Sequence, residues 1–290
     1  ETHASLAAVA VNDTAFIRDA MLRRMPHSLT AVGASEAENR SSSGLVAWGQ
    51  ALAGFAERDA SRGLATVKTN SKGFITGLDK SWDDRFNLGI AFGYLDTDAN
   101  VFRPGSNNNS VESWHAGGYI GAEFGPARVR AGGSYGWYTN QTSRTAGVNA
   151  FSDSLSDRYK GRAWQAFGEL GLGFELGSLS LEPFANLTHV DYRSKQIAED
   201  GGLAALDGRA TQKVTMTTLG VHGATKVLET ADGRSGFARV NVGWRHDIDN
   251  DGAIADLSFA GSPAVFTVVG AEPGKDLLVT DIALDLPVKQ

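Results

Sequence analysis

The chain has 290 residues, enough for one large domain or two small ones, with 35 glycines, no cysteine and a formal net charge of −6. That acidity argues against a nucleic-acid partner, which asks for a basic protein. No apolar run reaches the ~20 residues of a membrane helix, which leaves open a membrane barrel, whose strands hide their hydrophobicity in alternation. The lack of cysteine fits either a reducing cytosol or passage through an oxidising compartment. Glu1-Thr2-His3 has no basic n-region, so an export signal, if the protein is exported, is expected upstream.

The first element in chain order is helical. In VNDTAFIRDAMLRRM the residues Phe16, Ile17, Ala20, Met21 and Met25 recur at helical spacing, with Arg18, Arg23 and Arg24 elsewhere around the wheel. Asn12 or Asp13 is the expected N-cap and Pro26 the stop, which gives a helix over residues ~12–25. The polar stretch GASEAENRSSSG reads as a linker.

From residue 44 onward only strands are expected. GLVAWGQALAGFAE, KGFITGLDKSW and FNLGIAFGYL come first, and the third alternates most cleanly, with Leu88, Ile90, Phe92 and Tyr94 on one face and Asn87, Gly89, Ala91 and Gly93 on the other. HAGGYIGAEF and ARVRAGGSYGWYTN follow, joined by the corner Gly125-Pro126; Ile120, Phe124, Val129, Tyr135 and Trp137 fall on apolar faces, and His115, Tyr119, Glu123 and Arg130 on polar ones. RAWQAFGELGLGFEL, LSLEPFANLTHVDY (interrupted by Pro183), KVTMTTLGVHGATKVL, GFARVNVGWRHDI and KDLLVTDIALDL complete about ten, each near the ~10 residues that cross a bilayer at a tilt.

The connections alternate in length. DDR, GPA, GS and ETADGRS are short; the stretches around RDASRGLATVKTNS, DTDANVFRPGSNNNSVES, GVNAFSDSLSDRYKG, AEDGGLAALDGRAT and DNDGAIADLSFAGSPAVFTVVGAEPG are long. Transmembrane barrels have short periplasmic turns and long outer loops, and place aromatics at both interfaces; Trp82, Tyr94, Trp137, Tyr192 and Trp244 stand near strand ends. The apolar faces are expected to meet lipid and the glycine-and-charge faces a wet lumen. Extending the alternation gives a lumen-facing charged set of Asp79, Glu123, Arg130, Glu169, Glu182, Arg239, Arg245 and Asp281. A helix placed in the pore would offer Arg18, Arg23 and Arg24 to these carboxylates; the blander reading is that the charges solvate a pore wall.

Three motifs point to chemistry and lack its context. GGSYG matches a nucleophile elbow, but Ser134 sits inside an alternating strand rather than at a strand-to-helix turn. DIDNDG resembles the start of a calcium loop, yet Ser258 stands where the closing glutamate belongs. The six histidines are scattered, and His115 and His222 without a third ligand do not make a zinc site. No catalytic residue, metal site or cofactor is expected, and the chain is not expected to be an enzyme.

The order and spacing of NDTAFIRDAML, VAWGQALAGFAERD, GFITGLDKSWDDRFNLGIAFGY, GGYIGAEFG, LEPFANLTHVDY, GWRHDI and AVFTVVGAEPGKDLLVTDIALDL resemble the translocator (β-barrel) domain of classical type V autotransporters of Gram-negative bacteria, over nearly the whole chain. The resemblance implies an all-β, transmembrane, antiparallel up-and-down barrel of twelve strands with an N-terminal helix in the lumen. It implies an outer-membrane translocator and anchor for an N-terminal passenger, assembled by the outer-membrane barrel-assembly machinery and monomeric. Residues 1–43 would be pore helix and linker, with Asn12, Asp13, Arg18, Arg23 and Arg24 on the helix, and residues 44–290 the barrel. Family members end in two further strands and an aromatic residue, whereas LDLPVKQ follows the tenth strand here, so an incomplete barrel is expected. The competing readings are a small outer-membrane diffusion channel, which has no need of the helix and linker, and a soluble β-barrel binding protein.

Overall fold

A computed structural model describes residues 1–25, 37–40, 44–58, 66–82, 85–102, 107–148, 151–229, 235–250, 252–270 and 274–285. One helix, α1 (Thr2–Arg24), precedes fifteen strands: β1 (Ala37–Arg40), β2 (Leu45–Arg58), β3 (Thr66–Trp82), β4 (Phe86–Phe102), β5 (Asn107–Phe124), β6 (Ala127–Val148), β7 (Phe151–Leu172), β8 (Phe174–Leu176), β9 (Leu179–Ser194), β10 (Ile197–Ala198), β11 (Leu206–Glu229), β12 (Ser235–Asn250), β13 (Ile254–Phe259), β14 (Val265–Val269) and β15 (Asp276–Asp285). The strands form one antiparallel sheet in the order β1-β2-β3-β4-β5-β6-β7-β9-β11-β12-β15. Ten long strands curl around α1, and among the described residues the outer two, β2 and β15, do not pair with each other.

Alternation along the strands separates two solvents. On β4, Leu88, Ile90 and Phe92 stand exposed on the convex face while Asn87, Ala91 and Leu95 are buried on the concave one. The registers align Phe74, Tyr94, Trp114 and Trp137 in one outward row across β3–β6, and Trp82 opposite Phe86 in a second row near the short turns. Phe74 and Trp82 are eight residues apart on β3, about 26 Å along the strand at roughly 3.3 Å per residue. The exposed apolar band between them suits hydrocarbon flanked by aromatic girdles.

The turns follow local chemistry. Gly125 (φ 60°) and Pro126 join Phe124 to Ala127 in a two-residue hairpin; the left-handed glycine followed by a proline with fixed negative φ suits a type II′ turn. Pro183 is accommodated where the partner strand breaks: β9 leaves β7 after Phe184 opposite Gly171 and resumes on β8 at Leu181 opposite Phe174. A missing N–H costs least at such a break.

Several expectations are corrected. The helix begins about ten residues earlier than the amphipathic period indicated. Thr2–Val11, with four alanines and Leu6 among weaker helix formers, is buried on every side, so no polar face marks it in the sequence. Glu1 is its N-cap residue, and neither Asn12 nor Asp13 caps anything; both lie inside the helix. Pro26 lies outside the described residues. The stretch read as a linker contains β1, whose Ala37–Arg40 pair with Gly49–Val46. Much of the long connections is strand: β6 and β7 run 22 residues each, Asn107–Asn109 open β5, and the last long connection holds the β13–β14 hairpin, which pairs with β11. Tyr192 is no girdle residue; it is fully buried, facing inward.

Candidate functional site

The concave face and α1 make one continuous site, whose two ends differ. At the short-turn end the last helical turn is charged. Arg24 Nε donates to Asp79 at 2.8 Å, and its guanidinium stands 5.5 Å over the Trp48 ring. The Tyr119 hydroxyl donates to the same carboxylate at 2.8 Å and accepts from Trp48 Nε1 at 3.0 Å. Arg24 is therefore held by a carboxylate and a ring that are themselves fixed. Tyr119 and Trp48 were missing from the sequence-derived set, although Tyr119 shares the polar face with Glu123. Phe16 packs where Gly54 leaves room; a Cβ there would approach the ring to 2.7 Å.

Also near the short turns, β6, β7 and β9 bring three predicted charges together, each the fourth residue from its strand end. Arg130, fully buried, donates to Glu169 at 2.7 Å and to Glu182. Asn186 donates to the other Glu169 oxygen at 3.1 Å. Arg128, which the sequence reading passed over, donates to Glu123 at 3.0 Å and lies 3.7 Å from Glu182. Beside this cluster a cavity of about 260 Å³ opens between α1 and β9–β15, lined by Arg18, Arg23, Glu169, His222, Arg245 and Asp281 among others. His222 stacks on Phe184 at 4.0 Å and shares a 2.7 Å hydrogen bond with Asn241. Arg23 reaches Asp281 at 3.5 Å, while Arg18 pairs with its neighbour Asp19 at 3.0 Å rather than with a wall carboxylate. Arg239, half-buried on β12, lies opposite Ala224 and Ala283.

Toward the long connections the interior turns apolar. Ala4, Leu6, Ala7, Ala8, Val9 and Ala10 pack against Tyr138, Tyr159, Val190, Tyr192 and, from the β13–β14 hairpin and the residues before it, Ala253, Ala255 and Leu257. Single hydrogen bonds peg the helix at intervals: Tyr138 to the Ala10 carbonyl at 3.0 Å, Gln165 to the Thr14 carbonyl at 2.8 Å, and Thr97 to the Asp13 carboxylate at 3.1 Å. At the top, His3 Nε2 lies 2.9 Å from Glu199, and Arg144 grips both Glu199 oxygens at 2.8 and 2.6 Å. Burial pulls the Glu199 carboxyl upward, but the hydrogen bonds from Arg144 and His3 outweigh it and hold the group at about 2. Nothing in the sequence pointed to His3 and Glu199, which are 196 residues apart.

The tempting motifs take structural places. Ser134 lies within β6, its hydroxyl accepting from Gln165 at 2.8 Å. In DIDNDG, Asn250 donates from its side-chain amide to Asp247 at 2.8 Å, and its side-chain oxygen accepts from the Gly252 N–H at 3.0 Å. Among the described residues no group of three or more His, Asp or Glu is arranged to hold a metal ion.

A family model described as the autotransporter beta-domain matches residues 47–290. Two extracellular serine proteases of Serratia marcescens are each 28% identical over 293 aligned positions, which cover all of this chain and 27% of theirs. The chain thus spans little more than a quarter of the curated relatives it matches. Among solved structures, the translocator domain of the autotransporter NalP from Neisseria meningitidis superposes with a TM-score of 0.62 at 16% identity, covering 96% of this chain and 98% of that one. The beta domain of the Bordetella autotransporter BrkA gives 0.53 at 21% identity over 74% and 86%.

Proposed function

The chain belongs to the autotransporter beta-domain family and so is an outer-membrane translocator for a linked passenger; on that premise we propose that α1 is the segment of the exported polypeptide that stays in the pore, sealing it and tethering what precedes it. The observation that carries the proposal is the direction of the helix. Its N-terminus meets Glu199 among the long connections, and its C-terminus meets Asp79 near the short turns. If the long connections face outward, as in other such barrels, polypeptide preceding residue 1 emerges outside the cell, and β2 starts at the short-turn end where α1 stops, with Leu45 opposite Lys80. This division makes residues 1–43 the tether and 44–290 the wall.

In this reading Asp79, Glu123, Arg130, Glu169, Glu182, Arg239, Arg245 and Asp281 form the lumen lining, and Arg18, Arg23 and Arg24 are the helix charges that meet or neighbour it. In this reading the domain is not itself an enzyme, and the protease activity named for the Serratia relatives, of which this chain spans 27%, is not carried over to it. Assembly by the outer-membrane barrel-assembly machinery, as a monomer, is part of the same reading.

Two measurements test it. Deleting residues 2–24 is expected to raise single-channel conductance in planar bilayers; an unchanged conductance counts against a helix that fills the pore. Asn108→Cys is expected to react with an impermeant maleimide on intact cells and Ser178→Cys not to react, and the reverse pattern overturns the orientation.

A further inference from the structure

The outer aromatic row changes character as it passes around the barrel. Phe74, Tyr94, Trp114 and Trp137 stand side by side on β3–β6, and the same row continues through Arg162 on β7 and Arg193 on β9 to Thr211 on β11. Two guanidinium groups take the places in this register row that rings hold on β3–β6. Lys160 and Arg158 follow upward on the outward face of β7, whose inward neighbours Tyr159 and Ala163 are buried. Lys195 joins them, its N–H bonded to the Lys160 carbonyl at 2.7 Å, and Lys213 lies opposite Asp191 one row below Arg193.

We propose that this face, made by Arg158, Lys160, Arg162, Arg193, Lys195 and Lys213, binds the phosphorylated headgroup of a glycolipid in the outer leaflet. All six side chains are exposed, and among the described residues only Arg193 is ion-paired, to Asp191 at 2.8 Å. The acids nearby are already engaged: Asp191 by that pair, and Asp157 by the Ala198 N–H at 2.8 Å. The surplus is local. Two and three strands away, in the register rows of Lys160 and Arg158, the outward face is acidic instead, with Glu112 on β5, Asp98 on β4 and an Asp96 held by Lys72 at 3.1 Å, and the whole chain is negative. A general solubilising charge does not explain a cationic sector on an acidic protein.

The neighbours below decide the class of partner. Trp164, Leu170 and Leu172 continue down the same face of β7 as exposed apolar side chains at membrane depth. A ligand that satisfies both ends of this strip carries anionic groups above acyl chains. Guanidinium forks match phosphate oxygens in pairs, and clustered Lys and Arg beside a membrane-spanning surface bind anionic headgroups. A soluble acidic protein would meet the cations but leave the adjoining apolar strip to lipid.

The proposal rests on the long connections facing outward, which the maleimide pattern of Asn108→Cys and Ser178→Cys decides separately. The purified full chain in neutral detergent is titrated with bisphosphorylated lipid A, with the same lipid after dephosphorylation and with inorganic phosphate, and lipid occupancy is read by native mass spectrometry. Bisphosphorylated lipid A is expected to bind in a salt-sensitive way, and R158Q/K160Q/R162Q/K195Q to weaken it at least about tenfold. K68Q/K72Q, on the opposite side, is expected to leave it unchanged. Should the quadruple variant lose heat-modifiable migration, K160Q/R162Q is measured instead, with a loss of at least about threefold expected. Equal binding of the dephosphorylated lipid, unchanged affinity in the β7 variants, or an equal loss in the control variant overturns the proposal. Inorganic phosphate binding as tightly as the lipid overturns the assignment to a lipid.

Discussion

The two halves of α1 meet different surroundings. From Thr2 to Val11 the helix is embedded on every side, with alanines and Leu6 against the tyrosines of β6, β7 and β9 and a hairpin over them, as in the core of a water-soluble protein. From Ile17 to Met25 one side of the helix is still apolar and buried, while Arg18, Arg23 and Arg24 carry charge on the other, beside a cavity of about 260 Å³. The difference follows the height of the wall. Near the short turns the strands must present apolar faces to lipid and so keep their polar residues inward. Where β6, β7 and β11 rise beyond the lipid-facing band, the outward face turns to Ser, Thr, Gln, Lys and Arg, and the inward face is free to become a core. The upper half is packed by apolar contacts all round, whereas the lower half packs Ile17, Ala20, Met21 and Met25 against Trp48, Ile75, Ala91 and Phe167 on one side and turns its arginines toward the wall carboxylates and the cavity on the other.

The largest effect should come from breaking the buried ion cluster. Arg130→Met leaves Glu169 and Glu182 facing each other without their common partner, and removing one member of a buried pair costs about 3–5 kcal/mol. The urea midpoint in detergent micelles should fall accordingly. Adding Glu169→Gln and Glu182→Gln should restore most of the loss, because the cost lies in the uncompensated charge. A loss below about 1 kcal/mol for Arg130→Met would mean that this level is as wet as an exposed pair, and the contrast between the halves would shrink.

Leu6→Ala sharpens the contrast from the apolar side. Leu6 is fully buried, and truncating such a leucine costs about 2–5 kcal/mol. The loss should appear as faster amide exchange over residues 2–11, with the Arg24–Asp79 end unaffected. An equal rise in exchange at both ends would show that the helix behaves as one body and that the two interiors do not differ in stability.

Acid should loosen the top of the helix. Glu199 is held at about 2 against an ordinary value of 4.5. A depressed carboxyl contributes stability in full above its unfolded value and loses it as pH falls through the folded one. The His3–Glu199–Arg144 contact should therefore be intact from neutrality down to about pH 4.5, weaken steadily below that, and be gone near pH 2. Amide exchange at residues 2–5 followed down this range reports it. Glu199→Gln should raise exchange at neutral pH and remove the acid dependence; an unchanged acid profile in that variant would assign the effect to another group.

How much of this was legible varies from residue to residue, for identifiable reasons. The lipid-facing band could be read directly, because Leu88, Ile90 and Phe92 alternate with small and polar residues, and parity alone gives the face. Parity also put Arg130, Glu169 and Glu182 inward, but not together: their meeting depends on the registers of β6, β7 and β9, which pair residues 39 and 52 positions apart. Tyr192 was misread against its own parity with inward Glu182, because an aromatic near a strand end looks like a girdle when the strand is taken to stop at the membrane. The upper half of α1 escaped because a helix buried all round has no amphipathic period. The β13–β14 hairpin lay in a stretch judged a loop by its length, although AVFTVVG is rich in β-formers.

The smallest effect belongs to the contact that looks most like a tether and holds least. Arg23 reaches Asp281 across the cavity at 3.5 Å, with both side chains nearly half exposed. An ion pair of that kind is worth about 0–1 kcal/mol, because water screens it and two long side chains must be held still. Arg23→Gln should leave the urea midpoint within about 0.5 kcal/mol of the parent value. The residue nevertheless lines the cavity beside the helix, where an ion would pass if any crosses the plugged barrel. Its removal should shift residual conductance toward cations, since a fixed positive charge leaves the path while Asp281 stays. Reversal potentials in a salt gradient, compared with those of Asp281→Asn, separate the two roles. Opposite shifts in the two variants, with both stabilities unchanged, mark the lower interior as a wet path. Identical potentials in the parent and both variants would mean that the cavity is closed off from the ion path and that the lower half seals as tightly as the upper.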